Sequence, residues 1–577
     1  MKTHSGAGSV RPFDRRQFGL VLGGSALLPA AVGSHGVSGE RLTMQGALPS
    51  TGLMFNVKDF GGKGDGTTDD TPAIQAAIDA APPGATIYFP GTGSGAWYRV
   101  TSSLIISRPN IRFLGQPRDG YAVSIRPSVP NVAVIVVKHA GFVFEDMAVV
   151  GDGGASGEGA TVTGIDLYGS TNADIDCSIV GGTIQGCLIG ALVRGRNAAM
   201  TRTLFSNCVR AVVIDGLNAF HVGAGASSGN RGNTICDCRF HGTGTAAIEV
   251  TTAAKVRHML IAGNYFDSNG HGSHVRATGT STNAHEKLTI RDNKSAEVSA
   301  VVYSLTYVNN STIDGIDIMG NTTVVNDANG LELNNCNTVI IRNVFGVQLG
   351  GSGVYARNCT SLLLESVKWR SLGMGSGPAA HGFDIDATNA RCSFDAIRVE
   401  KTDGWGFSGS PVDSSMANHE FVSCTLGGIN STTLLSRAGQ GRNVYIEGAG
   451  GRKQDYASKS FDLAVGVATP LATILANSSY SSFEVEVKVV GRNSTGPLYA
   501  KYVRYVRPEN GTPQYLTPGP DVTQGPIILT FSTSGTTGVA VSAAATGSIA
   551  FVTAHVTALA GGGASAGNAR GVTVRMA

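Results

Sequence analysis

A four-residue pattern recurs through the middle of the chain: a small residue, an apolar one, a variable one and a second apolar one. It stands at Gly164-Ile165-Asp166-Leu167, Ala247-Ile248-Glu249-Val250, Gly330-Leu331-Glu332-Leu333, Gly353-Val354-Tyr355-Ala356 and Gly382-Phe383-Asp384-Ile385. Weaker members, Val275-Arg276-Ala277 and Thr306-Tyr307-Val308, fill the interval. A second apolar run follows each tetrad, as in Met259 to Asn264, Leu288 to Asn293, Ile316 to Asn321 and Val339 to Asn343; its asparagines are 29, 28 and 22 residues apart. A unit of roughly 22–30 residues holding two or three short strands cannot bury its own apolar side, whereas stacked units share one core. The pattern therefore predicts a β-solenoid of about a dozen coils over residues ~108–450. Asparagines at equivalent turns would stack as amide ladders and tolerate left-handed φ.

The flanks read differently. From Phe55 to Ile106, Phe55, Val57 and Phe60 alternate as a short strand, and Gly61-Gly62-Lys63-Gly64-Asp65-Gly66 must turn. Asp69-Asp70-Thr71-Pro72 then opens a helix whose Ile74, Ala77, Ile78 and Ala81 share one face. Pro82-Pro83-Gly84 ends it, and Thr86 to Pro90 and Tyr98 to Ile106 read as strands. Gly448 to Ser458 reads as a linker. Beyond it Ser482 to Val489 and Tyr499 to Tyr505 alternate cleanly, with further strands at Ile527–Ser532, Gly547–Val556 and Val572–Met576. That tail predicts an antiparallel β-sandwich over 456–577.

The N-terminal stretch resembles the opening of the pectate-lyase-superfamily module, which also begins many phage tail-spike enzymes. The matching residues are Asn56-Val57-Lys58-Asp59-Phe60-Gly61, Lys63-Gly64-Asp65-Gly66, Thr68-Asp69-Asp70-Thr71, Ala73 to Ala77 and Tyr88-Phe89-Pro90. The resemblance implies an all-β fold over 50–450, a right-handed parallel β-helix whose open end is capped by the short helix; the general crossover rule agrees with that hand. Asp65, Asp69 and Asp70 then serve turns and caps. The tail is similar to C-terminal domains used by tail-spike-like proteins for trimerisation or glycan contact, so a homotrimer is one expected assembly.

Composition fits stacked β-structure: of 577 residues 79 are glycine, 15% are charged, and the formal net charge of +3 implies no strong pull toward nucleic acid. No apolar run is long enough to span a bilayer. Arg15-Arg16, Phe18 and the mild apolar run Leu20 to Val32, ending near Ala30-Ala31, resemble a bacterial twin-arginine export signal; residues 1–45 are read as signal and linker, and the product as periplasmic or secreted. The nine cysteines lie between Cys177 and Cys424, odd in number and in similar contexts such as Asn207-Cys208, Asn335-Cys336 and Asn358-Cys359. They are expected as buried free thiols rather than a disulfide framework.

The variable tetrad position faces outward, because alternate strand residues point to opposite faces. Read from coil to coil it gives Glu249, Arg276, Tyr307, Glu332, Tyr355 and Asp384, at steps of 27, 31, 25, 23 and 29 residues. Two residues further on stand Thr251, Thr278, Asn309, Asn334, Arg357 and Asp386. With parallel strands ~4.8 Å apart, this is a continuous polar face suited to a saccharide: tyrosine rings cover apolar sugar faces, and arginines and amides bind hydroxyls or carboxylates. Trp405 would extend the platform.

Glycoside hydrolysis needs two carboxyls flanking the bond. Glu332 and Asp384 lie two coils apart, ~9–10 Å between backbones, within side-chain reach of an inverting pair; Asp386 is an alternative partner. β-Elimination from a uronic-acid polymer would instead use Arg276 or Arg357 to neutralise the substrate carboxylate and Tyr307, Tyr355 or a histidine as base. Neither chemistry requires a cofactor, although a lyase would admit Ca²⁺. Asn269-Gly270-His271-Gly272 matches the GHG motif of polygalacturonase-like hydrolases without that family's other segments, so His271 is carried as a substrate contact. The sequence thus predicts an exported enzyme that depolymerises an acidic or heteropolymeric glycan, with a non-catalytic glycan-binding or structural β-helix as the alternative.

Overall fold

The computed structural model describes residues 53–576 except for connecting segments, the longest being 217–230, 321–327, 431–440 and 561–571. The export-signal expectation (residues 1–45) and His271 lie outside the described residues.

Each coil contributes one strand to each of three parallel stacks. One stack is a 13-stranded sheet running from Leu104–Ile106 through Thr163–Leu167, Ala246–Val250, Ser273–Thr278, Tyr303–Thr306, Leu331–Asn334, Val354–Arg357 and Phe383–Ile385 to Gly427–Asn430. The other two stacks merge into one sheet where the long strands Val308–Gly320 and Asn337–Val347 serve both. The inward residues form one continuous core from Val57 to Cys424. Within it Phe205, Phe240, Phe266 and His274 stack in file, at 5.2, 4.9 and 4.9 Å between ring centroids.

The glycine that opens four of the five tetrads has a packing cause. It bends inward, where a side chain would strike the neighbouring coil: a Cβ on Gly164 would meet the Gly190 carbonyl oxygen at 2.5 Å, and one on Gly353 would meet the buried Trp369 ring at 2.5 Å. The cysteines have a turn cause. Cys208, Cys238, Cys336, Cys359 and Cys392 each follow a residue of positive φ (Asn207, Asp237, Asn335, Asn358 and Arg391), which swings the thiol into the core. All nine are free, and eight are buried.

The asparagine ladder is shorter than the spacing predicts. Asn264 and Asn293 are buried and joined, with Asn264 Nδ2 donating to Asn293 Oδ1 at 3.0 Å. Asn343 is instead an outward, positive-φ turn residue bonded to Asp314; in the register that carries Asn293 into later coils, Ile316 and Val344 stand.

The two ends of the cylinder are closed by different devices. At the first, the expected opening strand shortens to Met54–Asn56, and Val57–Phe60 is a 3-10 turn. The helix Thr71–Ala80 adds Ile74, Ala77 and Ile78 to the core. Its Gln75 side chain imitates a neighbouring strand: Oε1 accepts the Ile105 N–H at 2.9 Å and Nε2 donates to the Ile105 carbonyl at 3.1 Å. The edge of the 13-stranded sheet is thereby satisfied. The acids beside the helix are structural, as expected. Asp65 accepts from the Thr67 and Thr68 amides and hydroxyls, which holds its carboxyl well below the usual range. Asp70 accepts from the Lys63 and Gly64 amides, at 2.6 and 3.0 Å, rather than capping the helix with its side chain.

At the far end is an antiparallel sandwich. One layer orders Gln454–Leu463, Ala550–Ala560, Phe483–Asn493, Gly496–Glu509 and Thr512–Leu516; the other orders Ile527–Ser534, Gly538–Ala545, Thr469–Ala476 and Val572–Met576. Val487, Val541, Ile474 and Ala554 meet in their shared core. The expected linker to Ser458 is thus too long, since Gln454 already begins a strand. No helix among the described residues is long and apolar enough to cross a membrane.

Candidate functional site

The outward column of the 13-stranded sheet runs, in register, Asp166, Leu192, Val213, Glu249, Arg276, Ser304, Glu332, Tyr355, Asp384 and Ser408. Glu249, Arg276, Glu332, Tyr355 and Asp384 therefore share one face, as the tetrad predicts. Tyr307 does not. Ser304 takes its place, because Tyr303 and Leu305 are the fully buried pair of that coil. Tyr307 lies in the turn behind, at φ 51°. The adjacent column is corrected in the same coil: Thr306, not Asn309, pairs with Thr278 and Asn334.

At the C-terminal end of the face, Glu332, Tyr355 and Asp384 occupy three consecutive strands. The Arg357 guanidinium lies 3.9 Å from the Tyr355 ring centroid, 3.0 Å from Asp384 Oδ1 and 3.3 Å from Asp386 Oδ2. Asp386 is a loop anchor as well, its Oδ1 accepting from the Thr388 amide and hydroxyl and from Asn389 Nδ2. Glu332 has no ion pair or hydrogen bond to its side chain among the described residues and is half-buried. Three carboxylates against one guanidinium leave this end negative.

Trp405 stands on the next strand of the same sheet, off the outward column. It opens its strand three residues ahead of Ser408, the position level with Asp384. Its backbone N–H donates to His381 Nδ1 at 2.9 Å. His381 was not singled out in the sequence, although Ala380-His381-Gly382 leads directly into a tetrad. Burial lowers its pKa, partly opposed by Asp384 and Asp403.

Toward the middle of the face Glu249 accepts from Arg210 at 3.2 Å and stands 3.8 Å from Arg276. Two cations meet one anion there, so this trio is net positive, with Asp215 nearby on the Thr251 hydroxyl. Between it and the N-terminal end, the outward residues Ile189, Leu192 and Val213 form a small apolar cluster of their own. Next to that cluster, on the N-terminal side of Glu249, is a further charged group. Asp166 stands 3.6 Å from Arg194, whose guanidinium lies over Tyr168. Burial raises the Asp166 pKa, with Arg194 pulling it down and Asp215 adding to the rise. Its burial and its own charge partner make Asp166 a candidate member of the face. The signal was present in the first tetrad, where Asp166 holds the variable position. Among the described residues, no group of three or more His, Cys, Asp or Glu is arranged to hold a metal ion.

Comparison with known proteins places this architecture. Residues 54–364 match the family model described as rhamnogalacturonase A/epimerase, pectate lyase-like. Alginate lyase 7 of Azotobacter vinelandii is 51% identical over 71 residues, 11% of this chain and 8% of that protein. Mannuronan C5-epimerase AlgE1 of the same organism is 46% identical over 69 residues, 12% of this chain and 4% of that protein. The chain thus spans a small fraction of the length of the curated relatives it matches. Among solved structures, the A-module of A. vinelandii mannuronan C-5 epimerase AlgE6 superposes with a TM-score of 0.42 at 17% identity, covering 68% of this chain and 98% of the module. With the family model matching more than half of its residues, the chain belongs to the rhamnogalacturonase A/epimerase, pectate lyase-like family of β-helix proteins.

Proposed function

We propose that the chain is an exported enzyme that cleaves an acidic or heteropolymeric polysaccharide lying along the 13-stranded face, by hydrolysis at its negative end. The observation that carries this reading is the common register of Glu332, Tyr355 and Asp384, with Arg357 stacked on the tyrosine and bonded to Asp384. Two strand spacings separate the acid-bearing backbones by ~9–10 Å, compatible with the ~6.5–9.5 Å between carboxyls that leaves room for an attacking water. Glu332, without a partner among the described residues, is assigned as general acid, and Asp384, held by Arg357, as the base that activates water. Asp386 positions Arg357. Tyr355 offers its ring to an apolar sugar face. The Arg210–Glu249–Arg276 segment receives an acidic sugar two or more strands away. No cofactor is assigned to this chemistry.

A second reading, β-elimination from a uronate polymer, is favoured by that positive segment, since elimination needs a cation on the substrate carboxylate; a calcium ion belongs to this reading alone. The local likeness to an alginate lyase and to mannuronan epimerases is consistent with a uronate-containing substrate. The twin-arginine segment assigns the protein to the periplasm or the exterior, and the sandwich is assigned to trimerisation or glycan contact. Incubation with a panel of uronate-containing and neutral bacterial and plant polysaccharides decides. New reducing ends without absorbance near 235 nm are expected; absorbance there replaces hydrolysis by elimination. Binding without shortening of any polymer replaces both by a glycan-binding role.

A further inference from the structure

His381 is held in place from several directions. Its backbone N–H donates to Ser352 Oγ at 3.0 Å. The preceding Ala380 is clamped by Asp403, whose Oδ1 accepts the Ala380 N–H at 2.8 Å, and by the Thr402 hydroxyl, which donates to the Ala380 carbonyl. Gly404 leaves room for the ring: a Cβ there would stand 2.4 Å from His381 Nδ1. The Trp405 amide then donates to Nδ1 at 2.9 Å. An amide N–H can only donate, so Nδ1 is the acceptor and the neutral ring carries its proton on Nε2. That Nε2–H has no partner among the described residues and is not among the buried atoms lacking one. The charged groups around the ring are Asp384, Asp403 and Arg357, and burial outweighs the two acids, keeping the imidazole neutral near pH 7. His381 lies three residues before Asp384, on the segment that leads into the same strand.

We propose that His381 is a further substrate-contacting residue of this site, a neutral donor whose Nε2–H binds a hydroxyl or carboxylate oxygen of the sugar held at Asp384. The assignment rests on the hydrolytic reading above. It gives the Asp403-Gly404-Trp405 segment a purpose: its backbone fixes the tautomer that leaves Nε2–H free to donate. It also predicts an acid limit, because a second ring proton would face the Trp405 N–H.

The test uses two substitutions that separate the nitrogens. His381→Asn can still accept from Trp405 but loses the distal donor; His381→Gln keeps an amide donor at the Nε2 distance and loses the anchor. On a polymer the wild type cleaves, His381→Asn is expected to melt like wild type yet lose about tenfold or more in kcat/KM, while His381→Gln retains most of it. The acid limb of the kcat/KM profile should flatten in His381→Gln, and ¹⁵N spectra of the wild type at pH 7 should show the proton on Nε2. Wild-type rates in His381→Asn, equal losses in both variants, or an Nδ1–H tautomer would overturn the contact and leave the hydrolytic reading standing. Failure of the wild type to shorten any polymer would overturn both.

Discussion

The two segments of the site face rest on the same strand geometry and differ in what their outward positions carry. Around Glu249 two arginines flank one carboxylate; around Asp384 two carboxylates share one arginine, and Glu332 stands two strands away, unpaired among the described residues. Register and spacing are alike in both, so the difference lies in the outward side chains. A polyanion would be attracted to the first segment and repelled by the second, so on the proposed reading holding the polymer and breaking it fall to different coils. In a solenoid the inward and turn positions must fit the coils above and below, whereas an outward position is free to change from coil to coil.

The largest effect is expected where the bond breaks. Glu332→Gln and Asp384→Asn should each lower turnover at least tenfold, toward the ~10²–10⁴ of a lost proton-transfer group. Thermal melting should change little, since a surface ion pair such as Asp384–Arg357 contributes about 0–1 kcal/mol. Wild-type reducing-end rates in either variant would remove that residue from the chemistry.

The next effect is on the scaffold beneath the positive segment. The strand Ser273–Thr278 carries Arg276 outside and His274 inside, and complete burial pushes His274 down to about 3 from its ordinary 6.5. Between those values the unfolded chain binds a proton that the folded chain does not. Stability from this group is therefore full above pH 6.5 and is lost as pH falls toward 3. A loss on the order of a few kcal/mol is expected by about pH 4 in thermal or urea unfolding. His274→Phe, which would continue the Phe205–Phe240–Phe266 stack, should shrink that dependence; an unchanged pH slope would contradict the assignment.

At the positive segment itself the effect should be smaller and of another kind. Arg276→Ala is expected to raise KM several-fold on an acidic polymer with kcat preserved, the signature of lost uniform binding. The difference should fade in high salt and be absent on a neutral polymer. Equal losses on both polymers would end the division of labour. Smallest of all, Tyr307→Phe should leave kcat/KM within about twofold, the usual consequence of a change away from the site, because Ser304 occupies the column.

Much of this was legible in the sequence. The solenoid and most of the face followed from the tetrad, since the small first residue and the two apolar ones each answer a packing need that every coil repeats; the capping helix followed from its own apolar face and the family resemblance. The register slipped at one coil for a physical reason. Tyr303 points into the core, its hydroxyl 3.4 Å from Ser295 Oγ, and an aromatic with a polar tip reads equally well as an outward residue. His381 and Asp166 show the other limit. Both stood beside or within recognised tetrads, but what distinguishes them is burial and a neighbour two dozen residues away, which spacing along the chain does not display. The twin asparagine rungs were foreseen, and their end was not, because Ile316 and Val344 fill the same space without an amide.

The return of Val572–Met576 to pair antiparallel with Tyr445–Gly448, at Ile446 and Val574, has a consequence in time. Those two strands leave the ribosome far apart, with most of the sandwich between them. Until the later one emerges, the last winding presents a bare row of amides and carbonyls, the kind of rim that recruits stray chains. The last pairing to form is thus the one that covers this rim, and an export route that accepts only finished proteins, as proposed for this chain, would never carry it bare.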